Sequence, residues 1–249
     1  WKNFIFLSQM AFRKRDYSEE RLDWFLIDRI KRKIRSIIGY DDIFENPRDN
    51  EDFCFFPLNA EPEITLYLYA PFRLNQIETA RQIARSLPVG FKLYVKDHPI
   101  MYGYRTRKYY KELKKIPNVR IINSQISGYE IIKKAKLVTT ISGTAGWEAT
   151  VLKKPVITFG DVFYNKLSMV KHCKTPEELP FLIKECLRNF KHNEEELINF
   201  LSAILEESVN IDFLDLWLEE RNFEKIKNDE GTKNLTSLLA SKLGLQKGT

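Results

Sequence analysis

Two short segments concentrate side chains that can do chemistry. The first is VKDHP, Val95 to Pro99, which closes the run FKLYVKDHP. An apolar strand pattern ends there on lysine, aspartate, histidine and proline. Pro99 biases His98 away from helix, so the strand stops at that point with its side chains turned outward. An imidazole, with an unperturbed pKa of about 6.5, can donate to a phosphate and pass a proton to a leaving group. Lys96 would add charge neutralisation. Alternation puts Lys96 and His98 on one side of the strand and Asp97 on the other. The plainer alternative is a strand-end histidine bonded to its own loop, and periodicity does not choose between the two.

The second segment is ISGTAGWEA, Ile141 to Ala149. A strand pattern ends at Ser142 and a helix pattern starts near Gly146. Gly143 and Gly146 let backbone N–H groups approach a ligand closely. Ser142 and Thr144 add hydroxyls, and a helix N-terminus supplies donors and partial positive charge that suit a phosphate. Glu148 falls in the expected first turn, where a carboxylate can accept from ribose hydroxyls. A ligand-free tight turn and a helix-dipole role for Glu148 remain open alternatives. A third segment, PLNAEPE (Pro57 to Glu63), carries Glu61 and Glu63. Two carboxylates beside a sugar could act as general base or hydroxyl ligands, or could simply cap the next element. His172 and His192 read as surface residues, and the sequence shows neither a Ser-His-Asp order nor a metal-ligand cluster.

These residues need elements to position them. Strand patterns at 53–58, 91–98, 119–123, 137–142 and 155–160 alternate with helix patterns at 75–87, 107–116, 128–135 and 146–153. Short apolar strands alternating with helices predict βα units and a parallel sheet. Ligands of such sheets bind at the carboxyl ends of the strands, where strand order reverses, and all three segments sit at strand ends. Beyond Gly160 the pattern is helical, at 176–190, 193–208 and 232–244. Before Phe53, a helix from Asp16 to Gly39 is expected, with Asp16 and Glu19 as a capping box and Gly39 as its stop. Leu22, Leu26, Ile30, Ile34 and Ile37 recur at helical spacing along it. Arg29, Lys31, Arg32, Lys33 and Arg35 surround that stripe as a solvated face or a candidate membrane-surface contact. Residues 39–52 read as a linker. The expected organisation is therefore 1–52 helical segment and linker, 53–190 Rossmann-like domain, and 191–249 C-terminal helices.

Composition narrows the class. The 249 residues, 43% of them hydrophobic, suffice for a sizeable core. A net charge of +6 mildly favours anionic partners, but nothing matches a nucleic-acid-binding motif. Cys54, Cys173 and Cys186 are odd in number and scattered, which argues for buried free thiols in a reducing, cytoplasmic setting. No apolar run has the length of a membrane span.

At FFPLNAEPE, LYVKDHP, ISGTAGWEA and KKPVITFGDVFY, in that order, the sequence resembles the capsule polysaccharide biosynthesis proteins. The resemblance runs from about Phe53 to Phe190. These are bacterial surface-glycan glycosyltransferases, some of which transfer keto-deoxy-octulosonate from its cytidine monophosphate-activated form. The resemblance implies a GT-B architecture, with this chain carrying the half that binds the nucleotide-activated sugar. It implies that His98 contacts the donor phosphate and that Ser142, Gly143 and Thr144 complete the phosphate cradle. It further implies that Glu148 contacts the nucleotide and that Tyr164 and Glu63 lie near the sugar or the glycan or glycolipid acceptor. No cofactor is expected besides the nucleotide sugar as substrate, since a helix terminus with Lys96 and His98 can stabilise a leaving phosphate without a metal. Asn59 stands where the family leads one to expect His, and Asp97 where Glu is usual. The residues before Phe53 do not read as a second Rossmann half, so the acceptor half is expected to be cut away or the protein shortened. A sugar-nucleotide 2-epimerase of the same architecture and a non-enzymatic assembly module are the rival readings.

Overall fold

The computed structural model describes residues 22–212, 226–227 and 229–245. The chain divides into one unit ending at His192 and another beginning at Asn193. The expected capping box at Asp16 and Glu19 lies outside the described residues.

Among the described residues, the first unit opens with helix α1 (Leu22–Ile38), which stops as expected at Gly39, whose φ of +68° suits glycine. Strand β1 (Phe53–Pro57), helix α2 (Ile64–Tyr69) and helix α3 (Gln76–Ser86) follow, then β2 (Lys92–Lys96), α4 (Arg107–Lys114), β3 (Val119–Ile122) and α5 (Gly128–Lys134). After them come β4 (Leu137–Thr140), α6 (Thr144–Val151), β5 (Val156–Thr158), β6 (Val170–His172) and α7 (Leu179–Asn189). The six strands form one all-parallel sheet in the order β3-β2-β1-β4-β5-β6. That is the Rossmann order, and it reverses between β1 and β4. Four of the five residues of β1 are buried, as a strand covered on both faces requires. Phe56, Leu93, Val95, Ile121 and Ile157 anchor a core shared with Ile83, Leu113 and Ile183 from the flanking helices. Asn75 caps α3 by accepting from the Glu78 N–H, and Thr106 caps α4 by accepting from that of Tyr109.

Three expectations are corrected. Residues 39–52 are not a free linker. Tyr40 and Ile43 are buried in the core, the Tyr40 hydroxyl donates to the Arg105 carbonyl at 2.8 Å, and Glu45 pairs with Ile122 along the outer side of β3. The pattern beyond Gly160 is not purely helical either. Strand β6 escaped notice because three residues, two of them Lys and His, carry too little apolar periodicity, and His172 ends this strand. Finally, the apolar stripe of α1 is the face left in solvent. Arg35 donates to the carbonyl of Tyr104 at 2.9 Å, the Arg32 guanidinium lies 3.9 Å from the Tyr104 ring centroid, and Ser36 packs against Gly103. The polar side of the helix is thus the docked one.

The second unit contains α8 (Glu194–Glu206), capped by Asn193, and α9 (Glu230–Lys242), capped by Asp229. Within it, Lys242 pairs with Glu207, and Gly231 packs against Ile211 and the Asn210 carbonyl.

Candidate functional site

The crevice expected of this topology lies between the loops that leave β1 and β4. The loop after β1 is pinned from several sides. Leu58 N–H donates to the Lys96 carbonyl at 2.8 Å, Asn59 N–H to Gln76 Oε1 at 2.8 Å, and the Asn59 carbonyl accepts from Arg105 at 2.6 Å and from Gln76 at 3.1 Å. This backbone grip aims the Asn59 side chain at the neighbouring loop. Its Nδ2 donates to Ser142 Oγ and to Glu63 Oε2, both at 3.1 Å. Thr65 Oγ1 donates to the other oxygen of Glu63 at 2.5 Å, and the Ser142 hydroxyl lies 3.4 Å from that of Thr65. Glu63, Asn59, Thr65 and Ser142 therefore form one polar cluster across the point of strand reversal.

The turn after β4 is built from underneath. Thr140, wholly buried, accepts from the Gly143 N–H at 3.1 Å. The Gly143 carbonyl accepts from the Tyr164 hydroxyl at 2.7 Å. A Cβ on Gly146 would lie 2.4 Å from Tyr164 Oη and 2.7 Å from Thr140 Cγ2. This glycine lets α6 pack directly on the strand below it. Tyr164 is only 1% exposed, and burial holds its hydroxyl well above the ordinary phenol range. It lies beneath the turn, whereas the family resemblance implies a place near the sugar or acceptor. Helix α6 begins at Thr144, two residues earlier than expected, so Glu148 falls one turn in. Its carboxylate reaches back to within 3.5 Å of Thr144 Oγ1. Thr144 is exposed at the helix start, with Ser142 and Gly143 half-buried beside it.

The VKDHP segment divides by side chain. Lys96 is 6% exposed, and its ammonium donates to the Asp97 carbonyl at 3.2 Å. Burial, opposed by the Asp97 carboxylate, lowers its pKa. It is held inside the sheet end and not presented to a ligand, which corrects the expected role. Asp97, 1% exposed, accepts from the Tyr110 hydroxyl at 2.6 Å and from His98 N–H at 2.8 Å, and lies 3.3 Å from Arg105 Nε. Burial raises its pKa against the opposing pull of Arg105, Tyr110 and that N–H. His98 is exposed, and its Nδ1 accepts from Ile100 N–H at 3.2 Å. The neutral ring therefore carries its proton on Nε2 and can offer it outward as a donor. His98 follows β2, so β1 stands between it and the turn after β4. The two loops that flank the reversal are PLNAEPE and ISGTAGWEA, not VKDHP and ISGTAGWEA.

A family model described as "Capsule polysaccharide biosynthesis protein" matches residues 22–174. The chain belongs to this family. Among curated proteins, FixF of Sinorhizobium fredii (strain NBRC 101917 / NGR234) is 30% identical over 121 residues, 47% of this chain and 29% of FixF. The chain thus spans less than a third of that relative. Among solved structures it is similar to KpsC of Thermosulfurimonas dismutans, a beta Kdo 2,7 transferase, at 18% identity and a TM-score of 0.43. That match covers 80% of this chain and 67% of that one. Alr3699/HepE of Anabaena, solved with UDP-glucose, is 13% identical with a TM-score of 0.41, covering 70% and 47%. Within this capsule-biosynthesis chain, sequence reasoning missed Arg105, Thr140 and Thr65, and saw Asn59 only as a departure. Arg105 sits in a polar loop with nothing local to mark it. A buried aspartate at a strand end, needing a cation, was the one available signal.

Proposed function

We infer that the chain is the donor-binding half of a GT-B glycosyltransferase for capsule or surface polysaccharide, and that its crevice takes a nucleotide-activated sugar, cytidine monophosphate-linked. The observation that carries this reading is the Asn59–Ser142 hydrogen bond across the strand reversal. It joins the Glu63, Asn59 and Thr65 cluster to Ser142, two residues before the exposed start of α6. The N–H groups of that helix start and the Ser142 and Thr144 hydroxyls would hold the donor phosphate. His98 Nε2–H would approach the same phosphate from the β2 side, and Glu148 would accept from the ribose. Glu63, oriented by Asn59 and Thr65, would face the sugar or the incoming acceptor hydroxyl. Gly146 and Tyr164 support the turn and leave the contacts to their neighbours. Stabilisation of the departing phosphate then falls to helix N–H groups and His98, without a metal. The acceptor is a glycan or glycolipid, bound with help from a partner half.

Calorimetric titration with cytidine, uridine and thymidine nucleotides tests the reading. Saturable binding of a cytidine nucleotide, weakened in His98→Ala and in Ser142→Ala, is expected. Absence of binding by every cytidine and uridine nucleotide would overturn it. A His98→Ala variant that binds as tightly as the parent would remove His98 from the site while leaving the helix-start cradle standing.

A further inference from the structure

Helix α1 is amphipathic, yet it rests on its polar side. Leu26, Ile27, Ile30, Ile34, Ile37 and Ile38 are 42–74% exposed and follow one another at helical spacing along a single face. Arg32, Arg35 and Ser36, on the opposite face, hold the helix to the loop at Gly103 and Tyr104. A helix kept in place by cation–π and guanidinium–carbonyl contacts has no need of an apolar stripe for its own docking. Leaving six large aliphatic side chains in water is costly, at about 25 cal/mol per Å² of apolar surface, unless something covers them.

The charges indicate what covers them. At 100° per residue, Lys31 borders the stripe on one side and Lys33 on the other, and both are exposed. Of the ionisable residues from Leu26 to Ile38, five are basic and one, Asp28, is acidic, and Asp28 is paired with Arg32. An apolar face with a cationic rim matches an anionic lipid surface, where the aliphatic chains enter the acyl boundary and the lysines meet headgroups. Lys31 and Lys33 put one cation on each side of the stripe, and a layer of anionic headgroups meets both at once. Among the described residues, no helix is long and apolar enough to cross a membrane, so α1 would lie in the interface and not span it.

We propose that α1 is a membrane-surface helix that binds anionic lipid through this outward aliphatic face. The inference is independent of what the crevice binds. Flotation of the full chain with phosphatidylcholine vesicles, with and without phosphatidylglycerol, is the test. Binding only to the phosphatidylglycerol vesicles, and less of it as salt is added, is expected. Lys31→Gln with Lys33→Gln should weaken it about 30-fold, at roughly a tenfold loss per 1.4 kcal/mol and about 1 kcal/mol per lysine. Ile30→Ser with Ile34→Ser should abolish it, and circular dichroism should show both variants folded, since all four side chains are exposed. Failure of the parent to float, or equal flotation with both vesicle types, overturns the proposal. So does a parent that is dimeric by light scattering, becomes monomeric in the isoleucine variant and ignores vesicles, because the face then joins two copies of the chain.

Discussion

Asn59 Nδ2 and Ser142 Oγ are 3.1 Å apart, although 83 residues of sequence separate them. Their hydrogen bond links the loops on either side of the strand reversal, and the same amide group orients Glu63. Removing it in Asn59→Ala leaves Glu63 and Ser142 short of a donor. The backbone of residue 59 stays pinned by Gln76 and Arg105, so the fold should survive. We expect a stability loss of about 1–2 kcal/mol in urea denaturation and weaker nucleotide binding by titration. Unchanged binding in a folded variant would show that this bond does not shape the crevice.

The Gly146 position offers a packing test. A Cβ there would strike Tyr164 Oη and Thr140 Cγ2. Gly146→Ala should therefore destabilise by about 1–3 kcal/mol, the usual range for overpacking. Adding Tyr164→Phe removes one of the colliding atoms, so the pair should cost less than the sum of the single changes. Thermal melts of the four proteins measure this coupling. Simple additivity would mean that the turn relaxes without involving the tyrosine.

Asp97 and Arg105 form the buried ion pair that ties the end of β2 to the loop after β1. Asp97→Asn takes the carboxylate from a guanidinium that is only 5% exposed. Breaking one side of such a pair costs about 3–5 kcal/mol, and the more solvated Glu61, 3.6 Å away, recovers part of it. Chemical denaturation should show a loss at the lower end of that range. A loss below about 1 kcal/mol would mean that the pair is not a structural tie.

Arg120 clasps two acidic residues from the segment before β1, Glu51 at 2.7 Å and Glu45 at 2.6 Å. Burial pushes the Glu51 carboxyl up, but hydrogen bonds from Arg120 and Tyr94 outweigh it and hold the group below the usual carboxylate range. A depressed folded-state pKa gives stability that is present above the unfolded carboxylate pKa and lost as pH falls through the folded one. Glu51→Gln should thus be less stable than the parent at neutral pH, by about 1–3 kcal/mol. The gap should close below about pH 4. Urea titrations at several pH values would reveal it, and a gap independent of pH would assign the loss to packing.

The alternation of strands and helices was legible because each strand is a short apolar run and each helix shows its period. The turn at Ser142 to Gly146 was legible from its two glycines. Lateral order was not, since periodicity says nothing of which strands adjoin. Hence the sequence does not show that β1 lies between His98 and the turn after β4, or that Asn59 makes the cross-loop contact. The docking face of α1 was also hidden. Spacing reveals an apolar stripe, but Arg32 and Arg35 meet their partners through a ring and carbonyl groups near residue 104. Tyr40 and Ile43 went unnoticed because they are isolated apolar residues in a polar stretch, buried by tertiary contacts alone.

The short pairing of Glu45 with β3 has a consequence for growth of the sheet. Glu45 donates its N–H to the Ile121 carbonyl at 2.8 Å and accepts from Asn123 N–H at 3.1 Å. Backbone groups that an incoming strand would need on that margin are already engaged. One residue of the supposed linker thus acts as a stopper against strand addition, and recruitment of further β-structure is steered away from the β3 side.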